Sequence, residues 1–578
     1  MPDDKLTRFP LGGLDPNGVN VEASAGVGTI ANPLEWLARI VPFSHVIIGT
    51  NGNDTLSTTA EGDVVLGLGG DDQLSSAFNR TALLGGRDDD RLTTTVVIPP
   101  SPDPVDGLAV QFGGQGRDTL DATITVQGGV PPLPTVGDRT ASIFLDGGDG
   151  NDVITATANV ALLTTANVAL RTEVLGGGGD DIINLIADAR GSAGTNLAAN
   201  IGHGGAGDDR ITASAETNIV GFFGVATNEL TGGNGNDFLD ATAIARSINN
   251  VLVSNTLHGG NGDDVLHALN QTSSNVGAPI SRMELWGDAG NDVLVAVGQN
   301  FGTSIIANDS SHLDGGRGDD SLSVDSSTRA LFAEVHNVLD GGSGNDALTA
   351  NLVAIVLGGS LPTPPPLLFN ASNILNGGTG NDSLDASLSI ENVSGQADAS
   401  QAENRLSGGN GNDQLTAFAQ LSGTAPLPGT LPAITNHLDG GAGNDILTAT
   451  IAAGTAGASF LEGGAGNDRL TVFGGSGNVL NGGAGRDTLV SGIGDDTMNG
   501  EAGADTLVFA PGNGADTAAF CSGQDKIDLT AFAANNIHAF ADLDIAVAGD
   551  SSIVRFDADN NVTVLETTHL AASDFLFA

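Results

Sequence analysis

Aspartate is the residue whose number and spacing point most directly to chemistry. The chain has 578 residues and a formal net charge of −49, and its 69 acidic residues comprise 56 Asp and 13 Glu. A surface made acidic for solubility would mix the two acids. Asp, by contrast, is favoured in turns and as an oxygen ligand for hard cations. The excess of Asp therefore indicates a repeated structural or cation-binding role.

These aspartates recur within one short sequence motif, which we call the phrase. It consists of an apolar residue, a spacer, Gly-Gly-x-Gly-Asn/Asp-Asp, a second spacer, and Leu or Ile; clean copies span 145–154, 230–239 and 438–447. A further copy ends at Asn478 and lacks the acid. The final acid of the phrase occupies nineteen positions: Asp54, Asp72, Asp90, Asp118, Asp152, Asp181, Asp209, Asp237, Asp264, Asp292, Asp320, Asp346, Asp382, Asp413, Asp445, Asp468, Asp487, Asp496 and Asp505.

The residue types in this phrase suit calcium. Glycine permits positive φ and close backbone approach, so that successive carbonyl groups can converge on one point. Calcium accepts six to eight oxygens in flexible geometry, which carbonyls of one turn and carboxylates of two turns can supply. Glycine-rich turns without metal are the alternative, because Gly-Asn-Asp is also ordinary turn chemistry. Repetition in phase favours calcium, and a nonapeptide of this form is a known calcium-binding β-helix repeat.

The phrase resembles the repeat of the RTX (repeats-in-toxin, haemolysin-type) calcium-binding family, over residues 47–578. The resemblance implies turns stacked along a parallel β-roll, with several calcium ions held between successive turns. It makes the nineteen aspartates above the carboxylate ligands. It also implies carbonyl ligands from turn glycines such as Gly147, Gly148, Gly150, Gly440, Gly441 and Gly443.

The spacing of the phrase predicts the elements that position it. The aspartates step by 18 residues from Asp54 to Asp90 and by 18 or 19 near Asp487, as expected for a coil with a turn on each side. Between Asp90 and Asp346 most steps are 26 to 29 residues. We therefore predict an all-β parallel β-roll or β-solenoid with stacked GGxGxD turns, mostly one calcium turn per coil of roughly 28 residues.

Two further patterns concern the interior and the edge opposite the turns. Asn precedes the apolar residue that opens the turn by two positions at Asn228, Asn255, Asn337, Asn373, Asn404, Asn436 and Asn478, which predicts a stacked Asn ladder. Strands such as 447–451 alternate, so that Leu, Ala and Ile should face inward and Thr outward. Pro-rich segments beginning at 130, 361 and 425 fall at one phase of the coil, where loops at the opposite edge are expected.

Three regions follow from these patterns. Residues 1–46 carry no repeat and form a cap or docking segment, with a short helix expected over 32–40. Residues 47–506 form the calcium-binding solenoid. Residues 507–578 form a C-terminal cap, and the stretch 503–529 resembles the region that follows the repeats in RTX proteins exported by type I secretion. That resemblance implies an uncleaved C-terminal export signal.

Composition excludes several classes of function. No basic patch of useful size is present for nucleic acid, no apolar stretch of about 20 residues is present for a transmembrane segment, and the single cysteine, Cys521, excludes an intramolecular disulfide. The histidines do not form H-E-x-x-H, and no G-x-S-x-G is present. We therefore expect no enzyme.

The expected function is that of a bacterial, secreted, calcium-binding structural protein. Millimolar extracellular calcium would fold the chain, which would then self-assemble at the cell surface as a surface layer, fibre or matrix component. Its expected partners are further copies of itself and the type I secretion machinery, with cell-surface polysaccharide as a further candidate. The alternatives are a calcium-dependent adhesin or other binding module, with ice binding less favoured, or an RTX-type toxin or lytic factor.

Overall fold

The computed structural model describes residues 43–127, 137–160, 167–190, 194–219, 223–274, 277–357, 369–392, 399–423, 434–521, 523–556 and 560–578. The predicted helix over 32–40 and the Pro-rich loops at 130, 361 and 425 lie outside these residues. Within them the chain is nearly all β-strand, and its few helices are 3-10 turns at Thr530–Asn535, Phe540–Asp542 and Ala572–Asp574. None of the helices in these ranges is long and apolar enough to cross a membrane.

The strands form two stacks of parallel strands, one on each side of the Gly-rich turns. We call them the leading sheet, whose strands run into the turns, and the trailing sheet, whose strands follow the turns. The trailing sheet contains β2 (Thr55–Ser57), β4 (Gln73–Ser76), β6 (Arg91–Ile98), β8 (Thr119–Val126), β10 (Val153–Val160), β12 (Ile182–Asp188), β14 (Arg210–Ile219), β16 (Phe238–Ser247), β18 (Val265–Ser274), β22 (Ala347–Val356), β24 (Ser383–Asn392), β26 (Gln414–Gly423), β28 (Ile446–Ile451), β30 (Arg469–Phe473), β32 (Thr488–Val490), β34 (Thr506–Val508), β36 (Lys526–Asp528) and β40 (Phe575–Leu576).

Two long strands, β20 (Val293–Arg317) and β21 (Ser321–Ser343), continue from the trailing sheet into the leading sheet. The leading sheet otherwise contains β1 (Val46–Ile48), β3 (Val64–Leu66), β5 (Thr81–Arg87), β7 (Val105–Gln115), β9 (Arg139–Asp149), β11 (Val168–Gly178), β13 (Thr195–Ala206), β15 (Phe223–Asn234), β17 (Asn250–Asn261), β19 (Ile280–Ala289), β23 (Phe369–Thr379), β25 (Ala399–Asn410), β27 (Ile434–Ala442), β29 (Gly457–Ala465), β31 (Val479–Gly485), β33 (Thr497–Gly503), β35 (Ala515–Ala519) and β39 (Asn561–Leu565).

Each strand pairs in parallel with the strand one coil later, in register with the repeat. Ile154 pairs with Ile183, for example, and the motif glycine Gly148 pairs with Gly177. The predicted β-solenoid with one motif turn per long coil is therefore confirmed. The register follows from the strand period of two, because a slip by one residue would expose the whole apolar set.

The core lies between the two sheets and is built from small aliphatic side chains. Leu447, Ala449 and Ile451 are buried, whereas Thr448 and Thr450 are partly exposed on the outer face, as the alternation predicts. Burying a Leu or Ile side chain contributes about 1.5–3 kcal/mol, and the same inward position is filled coil after coil. Inward Ala brings the two sheets close together, which explains how the chain forms a core with few aromatic residues.

The Asn ladder is present and ties the sheets together at the turn edge. Asn404 receives a hydrogen bond from Asn373 Nδ2 at 3.0 Å and donates one to Asn436 Oδ1 at 2.9 Å. Its amide also donates to the carbonyl oxygen of Phe418, in the facing sheet, at 2.9 Å. Asn200 belongs to the same row, through Asn228, although Gly202 stands where the sequence pattern has an apolar residue. The row is therefore longer than predicted.

The C-terminal end departs from the parallel pattern. Strands β37 (Asp544–Ala548) and β38 (Ser551–Arg555) pair antiparallel, and β38 pairs antiparallel with β39, which in turn covers β35. Phe509, Phe532 and Phe556 form an aromatic cluster beneath this hairpin, with ring centroids 4.7 Å apart between the last two. This aromatic packing closes the end of the stack, where an open rung would leave its edge unpaired.

Candidate metal centre

Most motif turns have glycine with positive φ at two positions. In other turns a residue with a side chain occupies one of these positions, with φ between +66° and +86°: Leu68, Asp88, Asp288 and Glu501. In the turn 147–152, Gly148 has φ +103° and Gly150 has φ +134°, in the region that side chains disfavour. A Cβ at Gly150 would lie 1.7 Å from the carbonyl oxygen of Gly116 in the preceding turn. At Gly150 the two turns therefore stack with their backbones in direct contact, which the absence of a side chain allows.

The final aspartate of each turn links that turn to its neighbours. The backbone N–H of Asp118 donates to Oδ1 of Asp152 at 2.6 Å, and the N–H of Asp152 donates to Oδ1 of Asp181 at 2.8 Å. The same bond recurs without a break from Asp54 to Asp505, so all the predicted aspartates except Asp496 form one continuous row.

The second carboxylate oxygen of these side chains is buried and has no partner among the described residues. A Cβ at Gly147 would lie 2.3 Å from Oδ2 of Asp152 and 2.6 Å from the carbonyl oxygen of Gly176 in the next turn. The two oxygens therefore border one small space, which the absence of a side chain keeps open. Seventeen aspartates have such an unpartnered Oδ2: Asp72, Asp90, Asp118, Asp152, Asp181, Asp209, Asp237, Asp264, Asp292, Asp320, Asp346, Asp382, Asp413, Asp445, Asp468, Asp487 and Asp505.

Without a cation, burial and mutual repulsion disfavour the ionised form of these carboxyl groups. Burial, with a smaller contribution from the neighbouring charges of Asp209 and Asp152, raises the pKa of Asp181 to about 7, against the backbone hydrogen bond from Asp152. Asp264 shows the same pattern, with a pKa of about 7. A divalent cation in the row would offset this repulsion and favour the ionised form.

A second, exposed row of hydrogen bonds lies beside the first, and its bonds are directed the opposite way along the stack. Where the residue before the final aspartate is Asn or Asp, its side chain accepts the backbone N–H of its counterpart one coil later, as in Asn291 Oδ1 and the N–H of Asp319 at 2.8 Å. Arg117 and Arg486 stand at this position in two turns and supply no acceptor. In the buried row, the N–H points forward to the later carboxylate instead. This outer row explains why Asn or Asp stands at the penultimate position of the phrase, a role that the sequence interpretation missed.

Two of the predicted ligands differ from the rest. Oδ2 of Asp54, in the first turn, accepts hydrogen bonds from the backbone N–H and the hydroxyl of Thr50. Asp496 lies on the opposite edge of the stack, as its half-coil spacing predicts, and its Oδ2 accepts the N–H of Gly492 at 3.2 Å. Both carboxylate oxygens of Asp496 are therefore already hydrogen-bonded, and so is Oδ2 of Asp54.

Two aspartates extend the rows beyond the predicted set. Asp525 Oδ1 accepts the N–H of Asp505 at 3.1 Å, and Asp516 Oδ1 accepts the N–H of Asp496 at 2.8 Å. Neither follows a Gly-Gly pair, which is why the phrase misses them. The steps of 20 residues from Asp505 and Asp496 are the signal that could have identified them.

The donor set fits calcium. Within the described ranges, no three His, Cys, Asp or Glu side chains converge as they would in a site made from side chains alone. The oxygens that do converge are one carboxylate oxygen and backbone carbonyls, which are the ligands hard cations prefer. The buried and unpartnered Oδ2 atoms, with the spaces at the first glycine of each turn, satisfy the requirements of an oxygen-lined cation site.

Comparison with known families agrees with this geometry. The family described as "RTX calcium-binding nonapeptide repeat (4 copies)" matches eleven segments: 48–78, 144–158, 195–220, 226–243, 254–271, 336–352, 369–388, 398–419, 435–451, 449–478 and 473–507. The chain is an RTX calcium-binding repeat protein.

The RTX matches coincide with the motif turns and extend almost to the end of the parallel stack. Each includes a turn with its flanking strands, so multiple calcium ions are the cofactors of this RTX protein. The matches end at residue 507, before the aromatic cap, so they do not cover the C-terminal region that resembles type I secreted proteins. A search of curated proteins found no match.

Proposed function

We propose that this RTX protein is a secreted structural protein that folds on extracellular calcium and self-assembles at the bacterial cell surface. The RTX repeats support a calcium-binding protein of the extracellular type. The self-assembly and the surface role are the proposal. The observation that carries it is the unbroken row of seventeen buried carboxylate oxygens that have no hydrogen-bond partner in the part of the chain that the structure describes, because one row of cations would then stabilise the stack along almost its whole length.

Calcium and folding are coupled through this row. The aspartates of successive turns are brought together only in the folded stack, so metal binding adds to the free energy of folding. With a net charge of −49, the calcium-free chain resists compaction. Low cytosolic calcium would leave the chain loose enough for export, and millimolar calcium outside the cell would fold it.

The outer faces of the sheets favour contact between rods once calcium has reduced the charge. Val153 and Ile182 are paired neighbours on the outer face of the trailing sheet, and each is more than 40 % exposed. Ile186 lies on the same face, two outward positions further along the strand, and is 40 % exposed. Apolar side chains in such a row contribute to lateral association between copies.

Electron microscopy and light scattering test the proposal directly. Purified full-length protein is freed of calcium and then brought to millimolar calcium, with millimolar magnesium as the control. The proposal expects sheets or filaments only with calcium. Substitution of Val153 and Ile182 by Thr should reduce lateral association while leaving the calcium-induced change in circular dichroism intact. Rods that fold with calcium but remain monomeric would contradict self-assembly.

Monomeric rods would instead favour the second candidate, a calcium-dependent adhesin or other binding module. Binding of the calcium-loaded rods to isolated cell-surface polysaccharide would then be the next measurement. Leakage of liposomes caused by the purified protein would support the alternative of an RTX-type toxin or lytic factor.

Export by a type I machinery is a separate part of the proposal and rests on the resemblance of residues 503–529. Deletion of 507–578 should abolish secretion from a host that carries the machinery.

A further inference from the structure

One part of the interior breaks the aliphatic pattern far from the motif turns. The inward residue eight positions after the final aspartate of the turn is aliphatic in most other coils, as at Ile98, Val126, Ala245, Ala354 and Ile390, although it is Thr217 in one. In three consecutive coils it is instead Thr272, Asn300 and Thr328, which pair with one another in register. At about 3.3 Å per residue, this position lies roughly 26 Å along the strand from the turn row.

The facing sheet becomes polar in the same coils. Its inward column reads Val253, Ser281, Asp309, Val335 and Ala371, in register from coil to coil. The Thr328 hydroxyl donates to Oδ2 of Asp309, so the two polar columns meet across the core. We call Thr272, Asn300, Thr328, Ser281 and Asp309 the inner polar cluster.

The inner polar cluster is buried and incompletely hydrogen-bonded. All five side chains are less than one-tenth exposed. Asp309 Oδ1, Thr272 Oγ1 and the Asn300 side-chain nitrogen have no hydrogen-bond partner among the described residues. Burial raises the pKa of Asp309 to about 7, against the hydrogen bond from Thr328. A carboxylate in such a place must be neutralised, because an isolated buried charge is very costly.

We propose that the inner polar cluster binds one monovalent metal cation of the sodium or potassium class, with Asp309 as its charged ligand and hydroxyl and amide oxygens of Thr328, Thr272 and Asn300 around it. A single positive charge neutralises a single buried carboxylate, whereas a divalent ion would leave an excess charge in the core. Protonation would neutralise Asp309 but would leave the Thr272 hydroxyl and the Asn300 side-chain nitrogen without a partner among the described residues. Asn300 Oδ1 accepts the backbone N–H of Gly302 at 3.2 Å, so the amide would supply its oxygen to the ion by a half turn that gives up this hydrogen bond.

The proposed site is distinct from the calcium row of the RTX repeat, and its test keeps calcium saturating throughout. Hydrogen exchange of the folded protein is compared in sodium, potassium and choline chloride at one ionic strength and one pH. Amides of 293–300 and 321–330 should exchange about tenfold faster in choline, as expected when an ion at about ten times its dissociation constant is withdrawn. Amides of 446–451, far along the stack, should not change.

Variants assign the effect to the cluster. Asp309→Asn and Asp309→Val, the latter copying the neighbouring Val335, should remove the difference between sodium and choline. Thr217→Val is the matched control: Thr217 has the equivalent position in another coil and pairs with Ala245, and this substitution should leave the difference intact.

A direct readout is crystallographic. Crystals soaked in thallium(I), a monovalent probe, should show an anomalous peak beside Asp309. No peak, together with identical exchange in sodium and choline, would overturn the proposal and leave a protonated Asp309. Displacement of thallium by calcium alone would also overturn it, in favour of a divalent site.

Discussion

The backbone N–H of Asp264 lies 2.7 Å from Oδ1 of Asp292, the equivalent residue one coil later. This bond fixes the orientation of the Asp292 carboxylate and leaves its Oδ2 buried without a partner among the described residues. The same bond positions each later carboxylate in the row, from Asp72 to Asp505. Stacking of the coils therefore orients the carboxylate oxygens that face the metal sites.

Replacing a buried aspartate should remove calcium, whereas replacing its exposed neighbour should not. Asp264→Asn keeps an acceptor at Oδ1 but places an amide nitrogen among oxygen ligands. We expect a lower calcium stoichiometry by equilibrium dialysis, and a loss of about 1–3 kcal/mol of stability from the buried unpaired group. Asp263→Asn, on the exposed row, is the matched control. Equal loss of calcium in both variants would contradict the assignment.

The first turn should contribute least to calcium binding. Thr50 already donates two hydrogen bonds to Oδ2 of Asp54. We expect Asp54→Asn to leave the number of bound calcium ions unchanged, whereas Asp90→Asn lowers it. Competitive titration against a calcium chelator measures both variants. A lower stoichiometry in Asp54→Asn would show that Thr50 is displaced when calcium binds.

A glycine with positive φ that contacts the preceding turn should not tolerate a methyl group. Gly150→Ala places its Cβ against the carbonyl oxygen of Gly116, and we expect destabilisation of more than about 2 kcal/mol together with weaker calcium binding. Gly178→Ala is the control, because the nearest atom to its Cβ is 3.8 Å away, on Asp149. Thermal unfolding at saturating calcium compares the two. Similar midpoints would show that the turns do not stack so closely.

The calcium-free protein should respond to pH in the opposite direction from the calcium-bound protein. In the folded stack, burial and repulsion raise the pKa of Asp118 and Asp209 to about 7 and that of Asp445 to about 6, from 3.8. Raised carboxyl pKa values stabilise the folded state below about pH 4, and this stability is lost as the pH rises through 6 to 7. Calcium requires the ionised form, so its affinity should increase over that same range.

Circular dichroism in calcium-free buffers at pH 5.5 and 7.5 measures how the stability of the metal-free protein depends on pH. Calcium titrations at the same two pH values measure how the calcium affinity depends on pH. Folding of the metal-free chain that improves as the pH rises would contradict the buried carboxylate row.

The Asn ladder should support stability without taking part in calcium binding. Asn404→Leu leaves Asn373 and Asn436 with unpaired buried groups, so we expect a loss of about 2–4 kcal/mol with unchanged calcium stoichiometry. Asn412→Leu, in the exposed outer row, is the comparison and should cost less. A change in stoichiometry in Asn404→Leu would connect the ladder to the metal row.

Much of this architecture is determined by the local sequence. The Gly-Gly-x-Gly-x-Asp phrase requires positive φ at particular glycines, and its recurrence determines both the coil length and the parallel register. Alternation in strands such as Ile446–Ile451 determines which side chains fill the core. The Asn row was visible as well, because stacking in register places equivalent residues next to each other.

The tertiary structure decided what depends on neighbours one coil away. The sequence could not show that Thr50 hydrogen-bonds Asp54 or that Asn and Asp form an exposed ladder. Nor could it place Asp309 opposite Thr328, because coils of different length give no fixed distance in the sequence between facing residues. Local spacing determines how one coil folds, whereas hydrogen bonds and charges between coils arise only when the coils are stacked.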